Sequence, residues 1–144
     1  MTLGKKMKNL ATIGIAFLCA VAHPRAELVL LEIEISGYAE GLRFSFSVGD
    51  VVRRTPAWKA SEEYPPLSPR RAETLATKKL KDLLNDPEKW SRGKIILTDS
   101  GDNIHWYYVV EFENHIGEGT QPPKMRIVVL MDGTIPEPLS ARYP

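Results

Sequence analysis

The pattern of apolar and polar positions opens with two segments in which apolar residues occupy every second position. Residues 28–36 and 42–48 both alternate in this way, which is typical of half-buried β-strands. The apolar positions are Val29, Leu31, Ile33 and Ile35 in the first segment and Leu42, Phe44, Phe46 and Val48 in the second. The residues between them, 37–41, begin and end with glycine, so we expect a turn there. The pattern therefore predicts a β-hairpin.

A helix is predicted over residues 68–84, where the apolar spacing changes to three and four. Ser68 is a suitable N-cap, and Pro69 follows at the first helical position, where its missing N–H costs nothing. The apolar stripe consists of Ala72, Leu75, Ala76, Leu80, Leu83 and Leu84. The sequence Asn85-Asp86-Pro87 ends the helix.

Three further strands are predicted after the helix, over residues 94–98, 104–113 and 125–131. Turn-forming residues 99–103 join the first two, and a long loop, 114–124, joins the second and third. Asp132-Gly133 indicates a last turn, and Pro136 and Pro138 restrict the tail, residues 134–144, to an edge or an extended segment.

The order of these elements indicates the α+β class, with one helix packed on an antiparallel sheet. The connection 53–67 has neither periodicity and contains three prolines, so we expect it to be extended, with Trp58 and Tyr64 holding it to the domain.

The first 22 residues have the pattern of a cleavable signal peptide. Three lysines precede a charge-free apolar run, Leu10–Ala22, that ends in small residues. As a helix this run is about 20 Å long, too short for a hydrocarbon core of about 30 Å. We expect cleavage after Ala22, with Ala26 as the alternative site, and no membrane anchor in the mature domain, residues 23–144.

Cleavage would change the composition of the chain. Removing 22 residues from 144 leaves 122, a length that suits one domain, and removes the only cysteine, Cys19. The 19 lysines and arginines lose three and fall to 16, against 18 acidic residues, a net charge of −2. That balance argues against nucleic-acid binding. Export without disulfides favours a bacterial periplasm or cell exterior.

The sequence contains no recognisable catalytic, cofactor-binding or metal-binding motif. His105 and His115 lie ten residues apart in the longest predicted strand, about 33 Å when extended, so they are not expected to share a metal ion. No serine lies in a nucleophile elbow, and no glycine-rich loop leads from a strand into a helix. Asp99, Asp102 and Asn103 lack the spacing of a calcium loop. We therefore expect that the protein is not an enzyme and binds no cofactor or metal ion.

One face of the predicted meander is unexpectedly apolar. If alternate residues of 104–113 face the helix, the others face away together with residues of the neighbouring strands. The resulting candidate binding surface consists of Ile96, Tyr107, Val109, Val128 and Leu130. Exposed apolar surface of this kind needs a cover. The cover could be the connection 53–67, a second copy of the chain in a homodimer, or a protein or peptide partner.

From the helix onward the chain resembles a PepSY-like domain, within the broader cystatin-like arrangement. The resemblance spans residues 67–133 and is based on the helix start 67–72, the central strand 106–110 and the closing segment 128–133. It implies an exported, non-catalytic module of the kind found near peptidases and envelope proteins.

The expected function is thus a non-enzymatic interaction module, exported to the periplasm or cell exterior. It would bind or modulate an envelope protein, a peptide or a peptidase. Two alternatives stay open: a small-ligand carrier or enzyme with a pocket on the sheet, and a structural homodimer subunit.

Overall fold

The computed structural model describes residues 33–115 and 123–143. It confirms the α+β class, with one main helix, but the strands form two antiparallel sheets of three strands rather than one. The predicted leader, residues 1–22, and the start of the first predicted strand, 28–32, lie outside the described residues. So does most of the predicted loop 114–124.

The first sheet has the strand order β1-β2-β6. Its strands are β1 (Glu34–Ala39), β2 (Leu42–Ser47) and β6 (Leu139–Arg142). Strand β6 forms from the predicted tail after its prolines and pairs with the free side of β2, which agrees with the edge position expected there.

The hairpin turn is shorter than the sequence predicts. Strand β1 continues through Gly37 to Ala39, and only Glu40 and Gly41 form the turn, with φ angles of 51° and 72°. Two consecutive residues in the left-handed region match the twist of a two-residue hairpin. Gly41 adopts this region freely because it has no side chain. The Glu40 carboxylate accepts hydrogen bonds of 3.0 Å each from the backbone N–H groups of Asn85 and Asp86. The expected turn over 37–41 is therefore wrong in its first three residues.

Two helices follow β2 in the chain: a short one, α1 (Gly49–Val52), and the main helix, α2 (Pro69–Leu83). As predicted, Ser68 caps α2, and its side chain accepts a hydrogen bond from the backbone N–H of Arg71 at 3.2 Å. The predicted stripe contributes Ala72, Ala76 and Leu80 to the core. No regular element occurs over 53–67, so the predicted connection agrees with the structure.

The second sheet has the order β3-β4-β5 and follows a 3-10 turn at Pro87–Lys89. Its strands are β3 (Trp90–Asp99), β4 (Trp106–Asn114) and β5 (Lys124–Leu130). Strand β3 begins four residues earlier than expected and includes a bulge between Arg92 and Lys94. Helix α2 contacts β4 and β5, and the Tyr108 hydroxyl donates a hydrogen bond of 2.8 Å to the carbonyl of Leu67, just before the helix.

The two sheets meet where β1 passes β5. A β-carbon on Gly37 would lie 2.5 Å from the Arg126 backbone nitrogen and 2.9 Å from the Met125 Sδ atom, so only glycine allows this approach. Buried residues of both sheets and of α2 form one continuous core. None of the helices in the described residues is long and apolar enough to cross a membrane.

We predict that Gly37→Ala destabilises the fold, because its methyl group must displace the backbone of β5. Overpacking of this kind costs about 1–3 kcal/mol of unfolding free energy. The matched control is Gly49→Ala, where the nearest atom to the new β-carbon is 3.7 Å away. Urea denaturation of both variants measures the difference, and equal stability would contradict the close approach.

Candidate functional site

The strand register places all five residues of the candidate binding surface on one face of the second sheet. Ile96 pairs with Val109, which pairs with Val128, and Tyr107 pairs with Leu130. The opposite face carries Tyr108, whose hydroxyl donates a hydrogen bond to the carbonyl of Leu67, two residues before α2. The sequence therefore predicted correctly which side chains share the face.

In the structure this face is covered within the chain. Tyr107, Val109, Val128 and Leu130 are at most 5% exposed, and only Ile96, at 42%, reaches solvent. The physical reason is that β1 packs against β5, the strand that carries Val128 and Leu130. The apolar side chains of the first sheet, Phe44 and Phe46 among them, belong to the same core.

The connection 53–67 does not cover the face through its aromatic residues as expected. Trp58 contacts Trp106 in an edge-to-face pair with ring centroids 5.5 Å apart, and Trp106 alternates in β4 with Tyr107. Tyr64 is 74% exposed, so the expectation that it holds the connection to the domain is wrong. The buried face needs neither of the other two covers considered, a second copy or a partner.

The two histidines of the described chain have separate, local partners. His105 Nδ1 lies 2.6 Å from Asp102 Oδ2, and His115 Nε2 is hydrogen-bonded to the Ser91 hydroxyl. Burial raises the pKa of Asp102, but hydrogen bonds from the ring and backbone of His105 outweigh it, and the pKa falls well below its ordinary value.

The acidic turn between β3 and β4 is held by its own carboxylates. Asp99 Oδ1 accepts hydrogen bonds from the backbone N–H groups of Gly101 and Asn103 at 2.9 and 3.0 Å, and Asp102 Oδ1 accepts those of Ile104 and His105. These are typical contacts of aspartates that stabilise turns. Among residues 33–115 and 123–143, no group of three or more histidines, cysteines or carboxylates is arranged to hold a metal ion.

A groove of about 450 Å³ lies between the β1–β2 turn and the start of β5. Its lining includes an aromatic pair, Tyr38 and Tyr143, with ring centroids 5.0 Å apart. It also includes two basic residues, Lys124 and Arg126. The complete lining is Tyr38, Ala39, Glu40, Gly41, Leu42, Pro123, Lys124, Arg126 and Tyr143. The groove thus combines apolar surface with two cations.

Both cations of the groove, Lys124 and Arg126, form ion pairs with one buried carboxylate, Glu111. Its Oε1 atom is 3.1 Å from Lys124 Nζ, and its Oε2 atom is 3.1 Å from Arg126 Nε. The Glu111 side chain is 3% exposed, whereas those of Lys124 and Arg126 are 36% and 40% exposed. The Lys124 amine also lies 3.3 Å from Glu113 Oε1.

The pKa values of this network follow from its contacts. Burial raises the pKa of Glu111, but hydrogen bonds from Lys124 and Arg126 outweigh burial, and the pKa is lowered. Hydrogen bonds to Glu111 and Glu113 raise the pKa of Lys124. At neutral pH the Glu111 carboxylate and the Lys124 amine are therefore both charged.

Sequence reasoning missed the groove, although part of its signal was present. The alternation of β4 placed Glu111 on the same face as Tyr107 and Val109, and that of β5 placed Arg126 beside Val128. A carboxylate on an otherwise apolar face, opposite an arginine, indicates a buried ion pair. The contribution of Tyr38 and Tyr143 to the groove depends on the packing of the first sheet, and no pattern in the sequence indicates it.

Comparison of the chain with family models, with curated proteins and with solved structures finds no match.

We predict that Val128→Asp unfolds the domain, because Val128 is fully buried and an unpaired carboxylate there costs several kcal/mol. Ile96→Asp is the matched control, since it places the same charge on the same face at a half-exposed position. Circular dichroism and thermal melts report folding of both. A folded Val128→Asp variant would show that the face is not part of the core.

Proposed function

We propose that this chain is a non-enzymatic binding module that holds an extended protein or peptide segment in the groove between its two sheets. The observation that carries the proposal is the composition of the groove, whose lining combines an aromatic pair with two cations that are paired with a buried carboxylate. Tyrosine and arginine are both enriched among the residues that dominate binding interfaces.

Several features of the groove favour binding over catalysis. His105 and His115 are not among its lining residues, and each has a local partner elsewhere. The Glu40 carboxylate, which does line the groove, is engaged by the backbone N–H groups of Asn85 and Asp86. The groove therefore brings together groups that contact a ligand rather than a nucleophile with a base.

A small-ligand carrier is the second candidate, because a volume of about 450 Å³ lies within the range of small-molecule sites. We do not favour the structural homodimer, since four of the five residues proposed for its interface are buried within one chain.

The expected signal peptide extends the proposal to the place of binding. A chain exported to the periplasm or cell exterior would meet its partner there. The resemblance to PepSY-like domains suggests that this partner is an envelope protein or a peptidase, so that occupation of the groove would modulate it.

We predict that extended peptides bind at the groove, detected by NMR of the isotope-labelled chain titrated with N-acetylated, C-amidated octapeptides of varied sequence. The amide resonances of Gly41, Leu42, Lys124 and Arg126 should shift. Tyr38→Ala should weaken binding about tenfold, because it removes one ring of the aromatic pair, a loss of roughly 1.4 kcal/mol.

The matched control is Tyr64→Ala, which removes a tyrosine that is 74% exposed in the connection and should leave binding unchanged. Shifts scattered over the surface, no shift with any peptide, or equal binding by the Tyr38 variant would contradict the proposed function. Shifts caused only by small carboxylic acids such as acetate or benzoate would favour the small-ligand carrier.

A further inference from the structure

We propose that the groove recognises a carboxylate group of its ligand through the guanidinium of Arg126, which Glu111 holds in position. This inference rests on the proposed function and adds the chemical group that the bound segment must carry.

The first observation is the way in which Arg126 is bound. Its Nε atom donates to the buried Glu111 carboxylate at 3.1 Å, while its side chain remains 40% exposed and lines the groove. Within the described part of the chain, its two terminal nitrogens have no hydrogen-bond partner. One edge of the guanidinium is therefore fixed by Glu111, and no described residue occupies its terminal nitrogens.

This arrangement lowers the cost of binding. A free arginine side chain loses rotamer entropy when it binds a ligand. Glu111 has already restricted Arg126, so less entropy is lost on binding. The planar guanidinium matches the two oxygens of a carboxylate, and such charge-assisted bonds are stronger than neutral ones.

The second observation is that the groove offers donors but few free acceptors. Lys124 lies between Glu111 and Glu113, so these carboxylates are paired with cations. The Glu40 oxygens already accept hydrogen bonds from Asn85 and Asp86. The hydroxyls of Tyr38 and Tyr143 have no partner among residues 33–115 and 123–143. The donors without a described partner, those of Arg126, Tyr38 and Tyr143, are complementary to an anionic acceptor.

A carboxylate in a peptide comes from either the chain terminus or an acidic side chain, and three octapeptides separate these sources. All are N-acetylated and share one groove-binding sequence without acidic residues. The first ends in an amide, the second ends in a free carboxylate, and the third ends in an amide but has glutamate at one central position. Affinities for the purified chain are measured by calorimetry, and the site by amide shifts.

We expect one of the two acidic peptides to bind about 10–100-fold more tightly than the neutral amide, as charge-assisted hydrogen bonds to arginine imply. Arg126→Gln should abolish this preference, so that the three peptides bind the variant with equal affinity, because the group that distinguishes them is lost. Arg126→Lys should retain only part of it, since lysine lacks the planar fork.

The matched control is Arg92→Gln, which removes the same charge at an arginine that pairs with Glu73 and does not line the groove. It should retain the full preference. The carboxylate proposal is overturned if wild type and Arg126→Gln show the same preference, or if wild type shows no preference. The proposed function still stands in that case, provided that the neutral peptide shifts the groove resonances. Absence of groove shifts with all three peptides overturns both.

The positioning role of Glu111 is tested with Glu111→Gln, which keeps the shape and one acceptor but loses the charge. We expect the preference to fall about threefold to tenfold and the Arg126 Nε–H resonance to shift and exchange faster with water. Glu111→Asp, which restores the charge, should recover part of the preference. A Glu111→Gln variant with an unchanged Arg126 resonance and unchanged preference contradicts the positioning role.

Discussion

The structure depends on one close approach, that of β1 to the backbone of β5 at Gly37. No side chain fits between Gly37 and the backbone of Arg126, so the two strands come nearer than sheets separated by ordinary side chains. This contact joins two small sheets, each of only three strands, into one core. It also brings the β1–β2 turn beside the start of β5, which creates the groove, and it leaves Glu111 buried at the junction.

Most of the fold could be predicted from the sequence, because local rules determine most of its elements. The cap at Ser68, the helical spacing after it and the alternation in β2 and β4 require no knowledge of the rest of the chain. The error at Gly37 has a physical cause. Gly37 was assigned to a turn because glycine allows backbone conformations that other residues avoid. In the structure a glycine is needed at this position because a side chain would collide with β5. The division into two sheets follows from that contact and was not predicted.

The candidate site was predicted less well, since it is formed between elements distant in sequence. Alternation correctly placed Val109 and Val128 on one face, but it could not show that the first sheet covers them. The groove contains residues from both sheets, and its pairing of Tyr38 with Tyr143 depends on how β6 returns to β2. The ion pair between Glu111 and Arg126 could have been predicted, because the register of β4 and β5 places the two residues opposite each other.

A nuclear Overhauser measurement detects the backbone contact between β1 and β5. A β-carbon position only 2.5 Å from the Arg126 nitrogen means that an α-proton of Gly37 is close to the Arg126 amide proton. We expect a strong cross-peak between these protons, comparable to those between the paired strands β4 and β5. Absence of this cross-peak, in a spectrum that shows the β4–β5 pairs, would contradict the junction and the groove built on it.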